Sequence, residues 1–160
     1  MSRFHSGFTL LEMMVVVTLM ALTVTFVVLN FNRDEDKIAE LEARRFGALI
    51  EHLRDESMVT GQTFAIEVDE SARRYRFLTP GEEWEPIEGD DVLRPRQLPD
   101  SLSVTLKLLD SGASDDLVVV EAIGEITPFE LTIGSQSGGY LVSLDPAQNV
   151  KVTRLENESG

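Results

Sequence analysis

The sequence predicts an α+β protein: one long N-terminal helix packed against an antiparallel β-domain of two sheets. Three observations carry this. From Phe8 to Phe31 the chain is apolar, with no Gly or Pro and a single charge, Glu12. From Phe31 to Thr60 helical periodicity continues, interrupted only by Gly47. Beyond Gly61 the period of apolar residues changes from 3.6 to 2, with turn-forming residues between the alternating runs.

The apolar run is long enough to span a membrane. At about 1.5 Å per residue, roughly 20 residues cross a hydrocarbon core of about 30 Å. A polar leader, Met1 to Ser6, precedes it and ends in Gly7. That leader is too short for an ordinary secretory signal. Arg3 lies before the run, while Asp34, Glu35 and Asp36 outnumber Arg33 after it, which orients the N-terminus to the cytoplasm and the domain to the outside. Glu12 is out of place in a plain anchor, because an acid within an apolar span is costly and marks function by default.

In the second half of the helix, Phe46, Leu49, Ile50 and Leu53 fall on one face, extended by Ile38, Leu41 and Ala43, and Gly61 supplies the stop. Phe64, Ile66 and Val68 and then Tyr75 and Phe77 read as a hairpin turning at 69–72. Thr79 to Glu82 is a turn with Pro and Gly at its centre. Residues 83–99, with three prolines, read as loop and short edge strands, and Trp84 as a half-buried anchor. Leu102 to Leu108 alternates cleanly, 111–116 turns, and Leu117 to Val120 is a buried strand. Phe129, Leu131 and Ile133 alternate, 134–139 reads as a flexible loop, and Tyr140 to Leu144 alternates again. Asp145 to Gln148 turns, Val150 and Val152 finish, and the tail from Glu156 frays.

The net charge of −14, from 28 acidic against 14 basic residues, excludes a general nucleic-acid binder and a domain lying on an anionic membrane. Its plain reading is solubility. With no Cys there is no disulfide and no thiol chemistry. Outside the leader the only histidine is His52, so no zinc-ligand spacing exists. The pairs Glu82-Glu83 and Asp115-Asp116 read as solvated turns and not as a calcium loop. No Gly-x-Ser-x-Gly elbow occurs, and Gly138-Gly139 lacks the Lys of a phosphate loop. No catalytic constellation, cofactor site or metal site is expected, and the chain reads as a non-enzyme.

The stretch Gly7-Phe8-Thr9-Leu10-Leu11-Glu12, opening an unbroken apolar helix, resembles the N-terminal signature of type IV pilins and type II secretion pseudopilins. The resemblance implies cleavage between Gly7 and Phe8 by a membrane prepilin peptidase and N-methylation of Phe8. It also implies that Glu12 pairs with the N-terminal amine of a neighbouring subunit during filament assembly. Within that class, Leu41 to Arg45 through Gly61 and Gly124-Glu125-Ile126-Thr127-Pro128-Phe129 resemble minor pseudopilin H of type II secretion and its relative FimT, the second stretch favouring the former. Many major subunits carry a Pro partway along the apolar run; none occurs here, which fits a minor subunit.

The resulting organisation is a leader over 1–7, the transmembrane half of a type IV pilin-like helix over 8–31, and a periplasmic domain over 32–160 whose amphipathic helix runs to about 60. The function implied is that of a structural subunit at or near the tip of a periplasmic pseudopilus that supports export of folded proteins. The chain would sit in the bacterial inner membrane as a single-pass protein. Its implied partners are other minor pseudopilins of the I, J and K types, the major pseudopilin, the prepilin peptidase during maturation, and the membrane, with no nucleic acid. The competing expectation is a FimT-like minor pilin in pilus assembly or DNA uptake, for which Arg73-Arg74-Tyr75-Arg76 is the best basic patch; Lys151 and Arg154 near the C-terminus are offset by Glu156 and Glu158.

Overall fold

The computed structural model describes residues 9–109, 117–136 and 138–156, the side chains of 25–33 and 156 excepted. One helix, α1 (Leu10–Thr60, 51 residues), forms the spine. At about 1.5 Å per residue it is roughly 75 Å long. Gly61 ends it in the left-handed region (φ 66°), donating its N–H to the Ser57 carbonyl at 2.8 Å. Glycine reaches that conformation without a Cβ penalty, as the sequence reading expected.

The first sheet contains β1 (Phe64–Asp69), β2 (Arg74–Pro80), β3 (Trp84–Pro86), β4 (Arg96–Gln97) and β6 (Leu117–Val120), in the order β3-β2-β1-β6, with β4 also paired to β2. The second contains β5 (Ser103–Leu108), β7 (Phe129–Ser135), β8 (Gly138–Leu144) and β9 (Val150–Glu156), in the order β5-β7-β8-β9. All strand pairs are antiparallel. The helix packs mainly on β7, β8 and β9.

Phe46 joins the three layers. Its ring meets Tyr75 of the first sheet edge-on at 5.0 Å and Phe129 of the second at 6.2 Å. Around it lie Ile50 and Leu53 from the helix, Ile66 and Phe77 from one sheet, and Leu131, Ile133 and Val142 from the other, all buried. The core therefore sits between the amphipathic half of α1 and the inner faces of both sheets. Toward the N-terminus the buried stripe continues through Ala43 and Ala39, whereas Ile38 and Leu41 are 37% and 55% exposed. The cause is geometric: 39, 43, 46, 50 and 53 are spaced by four and three, and the small alanines let the helix approach the sheet. Asp36 adds an ion pair to Arg154 at 2.7 Å, and the Tyr140 hydroxyl donates to Glu40 at 3.5 Å.

The hairpins match the alternation. Ile66 lies opposite Phe77 in β1–β2, and the Asp69 carboxylate accepts the Ala72 N–H at 2.9 Å to close the turn. Asp145 closes β8–β9 in the same way, accepting from the N–H groups of Ala147 and Asn149. Residues 83–99 contain only the short strands β3 and β4, and Trp84 is half-buried against Leu78, Leu117 and Ala65 on the outer face of the first sheet.

Three local expectations need correction. Pro80 belongs to β2, paired with Trp84, so that turn falls at 81–83. A proline is tolerated there because it ends a strand. Of the expected flexible loop at 134–139, Ser137 lies outside the described residues and the rest is largely strand: Gly134 pairs with Gly139 and Ser135 with Gly138 as β7 passes into β8. A Cβ on Gly134 would stand 2.6 Å from Ser103 Oγ, and one on Gly139 would stand 3.0 Å from the Ile133 carbonyl oxygen. These glycines permit close strand approach. Glu156 belongs to β9, while the rest of the expected frayed tail, 157–160, and the expected turn at 111–116 lie outside the described residues.

Candidate functional site

The site read from the sequence is the N-terminus of α1. Gly7 and Phe8 lie outside the described residues, so the site is described from Thr9 onward. Thr9 is the N-cap, with extended backbone (φ −81°, ψ 149°), and its Oγ1 accepts the Glu12 N–H at 3.2 Å. Thr9-Leu10-Leu11-Glu12 thus has the spacing of a capping box, with the hydroxyl residue at N-cap and the acid at N3. The sequence reading missed this local role, although the Thr-x-x-Glu signal is present. Glu12 is exposed at the helix end whose dipole favours a carboxylate by about 0.3–1 kcal/mol. The two readings are compatible: the cap fixes where the helix starts, and the carboxylate is left exposed there.

From Leu10 to Val24 the large apolar side chains are exposed, Val16 alone being half-buried, with Leu10 exposed by 79% and Met20 by 64%. Such a surface must be covered, by lipid or by like helices. Its two interior polar side chains are already satisfied. Thr18 and Thr23 donate their hydroxyls to the carbonyls of Met14 and Leu19, each at 2.8 Å, so neither needs water. Among the described residues no helix is long and apolar enough to cross a membrane. The span expected over 8–31 falls in part on residue 8 and on the side chains from 25 onward, which are not described.

The other candidates resolve differently. Arg73, Arg74 and Arg76 are bonded to Asp100, Asp69 and Glu67 respectively, so the basic run is neutralised within the domain. This removes the best patch for a nucleic-acid backbone, which the DNA-uptake version of the FimT-like expectation required. His52 is exposed on the helix, and Glu82 and Glu83 are exposed beside Trp84. Asp115 and Asp116 lie outside the described residues. Among the described residues no group of three or more metal-ligating side chains is present.

The stretch 124–129 is structural. Gly124 (φ 82°) turns under Met58, whose Sδ would stand 2.8 Å from a Cβ there. Ile126 is fully buried, and its N–H donates to Gln148 Oε1 at 3.1 Å. Thr127 bonds Val119 through both its N–H and its hydroxyl. This segment leads the chain from the first sheet to the second beside the end of α1, which is a physical reason for its particular sequence.

The minor pseudopilin EpsH of the Vibrio cholerae type 2 secretion system superposes with a TM-score of 0.63 at 22% identity, covering 72% of this chain and 96% of that one. The solution structure of Escherichia coli GspH gives 0.59 at 22% identity, covering 78% and 93%. The fold is therefore that of the pilin and pseudopilin class. A model of the prokaryotic N-terminal methylation motif matches residues 2–28, and one of type II transport protein GspH matches residues 42–148. The type II secretion system protein H of Escherichia coli (strain K12) is 33% identical over 144 residues, 83% of each chain, and that of Aeromonas hydrophila 27% over 150 residues, 82% of each. The chain belongs to the type II transport protein GspH family.

Proposed function

We propose that this chain is a minor pseudopilin of a type II secretion system, a structural subunit built into the periplasmic pseudopilus at or near its tip. The observation that carries the reading is the conjunction of a methylation motif over 2–28 with a GspH-type domain over 42–148, joined by one continuous helix. The role is mechanical: the apolar half of α1 holds the subunit in the inner membrane and then among neighbouring helices, while the β-domain makes lateral contacts. In this reading residues 1–7 form a cytoplasmic leader, 8–31 the membrane-spanning half, and 32–160 the periplasmic domain. The prepilin peptidase cuts between Gly7 and Phe8, and Phe8 is N-methylated. Partners are the other minor pseudopilins, of the I, J and K types, and the major one. No step requires catalysis by this chain.

Glu12 is the residue through which assembly is tested. Its carboxylate pairs with the Phe8 amine of a neighbour, where losing one member of a buried pair costs about 3–5 kcal/mol. Glu12→Val makes the segment more apolar, so insertion and cleavage persist while recruitment falls. The experiment combines intact mass of the membrane-extracted chain, crosslinking to the other pseudopilins, and export by the host with the chain deleted or substituted. The expected results are a mature chain starting at Phe8, reduced crosslinking of Glu12→Val, and impaired export in both strains. Full export without the chain overturns the function, and normal crosslinking of Glu12→Val overturns the role of that residue.

A further inference from the structure

A notch of about 290 Å³ lies between α1 and the segment leading into β4, lined by Glu42 and Arg45 from the helix and by Arg94, Pro95, Arg96 and Gln97 opposite. The second wall is firmly held. Asp90 Oδ1 accepts the N–H groups of Val92 and Leu93 at 2.7 and 2.9 Å. Leu93 and Leu98 are buried on either side of the arginines, and the Leu98 N–H donates to the Arg73 carbonyl at 2.8 Å. Arg96 is in register with Tyr75 across β4 and β2. Pro95 restricts the backbone between the two arginines.

The charge here is at odds with the rest of the chain. Acidic residues outnumber basic ones by 28 to 14, so no arginine lacks a partner for want of acids. Among the described residues, eight lysines and arginines form ion pairs. Arg94 and Arg96 do not, nor do Lys151 and Arg54, which donates to the Gln148 carbonyl; among the described residues the only bond of the Arg96 guanidinium runs from Nη2 to the Val92 carbonyl at 3.3 Å. The one acid on the lining, Glu42, is taken by Arg45. Behind this wall two buried donors have no acceptor among the described residues, Arg96 Nε and the Tyr75 hydroxyl.

We propose that this notch is an inter-subunit socket that seats carboxylate side chains of another pilin-type subunit, the proposal resting on the assembly function above. Guanidinium forks match carboxylates in a bidentate geometry, and two unpaired arginines on a pinned segment present such forks without prior rearrangement of the backbone. Lipid phosphate is out of reach. Arg45 stands roughly 20 Å along the helix beyond Phe31, whereas the headgroup layer extends only about 5–8 Å past the hydrocarbon. A nucleic acid is disfavoured by the net charge of −14 around a single small notch.

The test uses the full chain, tagged, in membranes with its cognate subunits, and measures capture of those subunits by the wild type, Arg94→Glu, Arg94→Glu/Arg96→Glu and a distant control, Lys151→Glu. Arg94 is exposed and bonds nothing among the described residues, so its single reversal leaves folding intact. The expected result is a loss of capture of about tenfold or more on reversal, with partial weakening of the wild type at high salt and no change in the control. A lysine placed at the contacting carboxylate of the captured subunit should restore binding to Arg94→Glu. Equal capture by wild type and both reversals overturns the socket alone. Unchanged capture with lost binding to phosphatidylglycerol vesicles overturns it in favour of lipid. A wild-type chain that captures no pilin-type subunit overturns the assembly function, and the socket with it.

Discussion

At the scale of single residues, Tyr75 shows how a core can be well packed and still carry a defect. Its ring is almost fully buried against Phe46 and Phe77. Its hydroxyl has no hydrogen-bond partner among the described residues. Burial first, and the Glu42 carboxylate second, push its pKa from the ordinary 10 up to about 12, against the opposing pull of Arg96 and Arg45. The sign for stability follows from the raised folded value. The unfolded chain releases this proton from about pH 10 while the folded chain holds it to about 12, so stability present below pH 10 is lost as pH rises through that window. Tyr75→Phe keeps the ring contacts, removes the orphaned hydroxyl and removes this slope. It should leave neutral-pH stability unchanged or raise it by about 1 kcal/mol, and should move alkaline unfolding to higher pH. Urea unfolding at pH 7 and pH 11 checks both; Tyr140, also raised, is common to the two proteins and cancels in the difference. A Phe variant clearly less stable at pH 7 would mean that the hydroxyl is bonded in solution.

At the scale of elements, the contact of α1 with the second sheet depends on Gly47. A Cβ there would lie 3.1 Å from Val150 Cγ1, 3.6 Å from Val152 Cγ2 and 3.9 Å from Val142 Cγ1. Glycine costs a helix interior about 1 kcal/mol relative to alanine, so its presence reflects packing and not helix formation. Gly47→Ala should be close to neutral, the propensity gain offsetting a small shift of Val150. Gly47→Leu should destabilise by about 1–3 kcal/mol through overpacking, visible as a lower urea midpoint with an unchanged slope. An unchanged midpoint would show that the helix can move off the sheet without loss. The sequence showed this helix because its 3.6 period runs through Phe46, Ile50 and Leu53, and it showed the hairpins because their apolar residues alternate. Periodicity did not reveal that Gly47 faces β9, or that Gly134 and Gly139 pair, because a glycine contributes nothing to an apolar pattern whether it is a hinge or a close contact. Glu12 stood out because a lone acid in an apolar run is conspicuous. The Arg94 and Arg96 notch did not, because its facing wall is a helix about fifty residues away and the pairing of most other arginines is a property of the fold.

At the scale of the whole molecule, the two halves of α1 have different dependencies. Among the described side chains of α1, none ahead of Ala39 contributes to the buried core. Among the described residues the one ion pair from the preceding turn to the sheets joins Asp36 to Arg154, more than half exposed on the arginine side and worth little in water. The apolar side chains from Leu10 to Val24 touch none of the core and expose a surface that water does not tolerate in bulk. Removing residues 1–32 therefore deletes the part that needs lipid or neighbouring helices and leaves the stripe of Ala39, Ala43, Phe46, Ile50 and Leu53 to cover both sheets. The chain beginning at Arg33 should be soluble and monomeric, with mixed helix and strand signals in circular dichroism and a cooperative urea transition. Its acid limb should steepen below about pH 4. The carboxyls of Asp69, Asp90 and Asp145 are all held below their ordinary values, chiefly by backbone N–H bonds, and stability gained above the unfolded value is lost as pH falls through the folded one. An aggregated or unfolded product at pH 7 would show that the anchor half belongs to the fold itself, and that folding of the β-domain waits on the membrane.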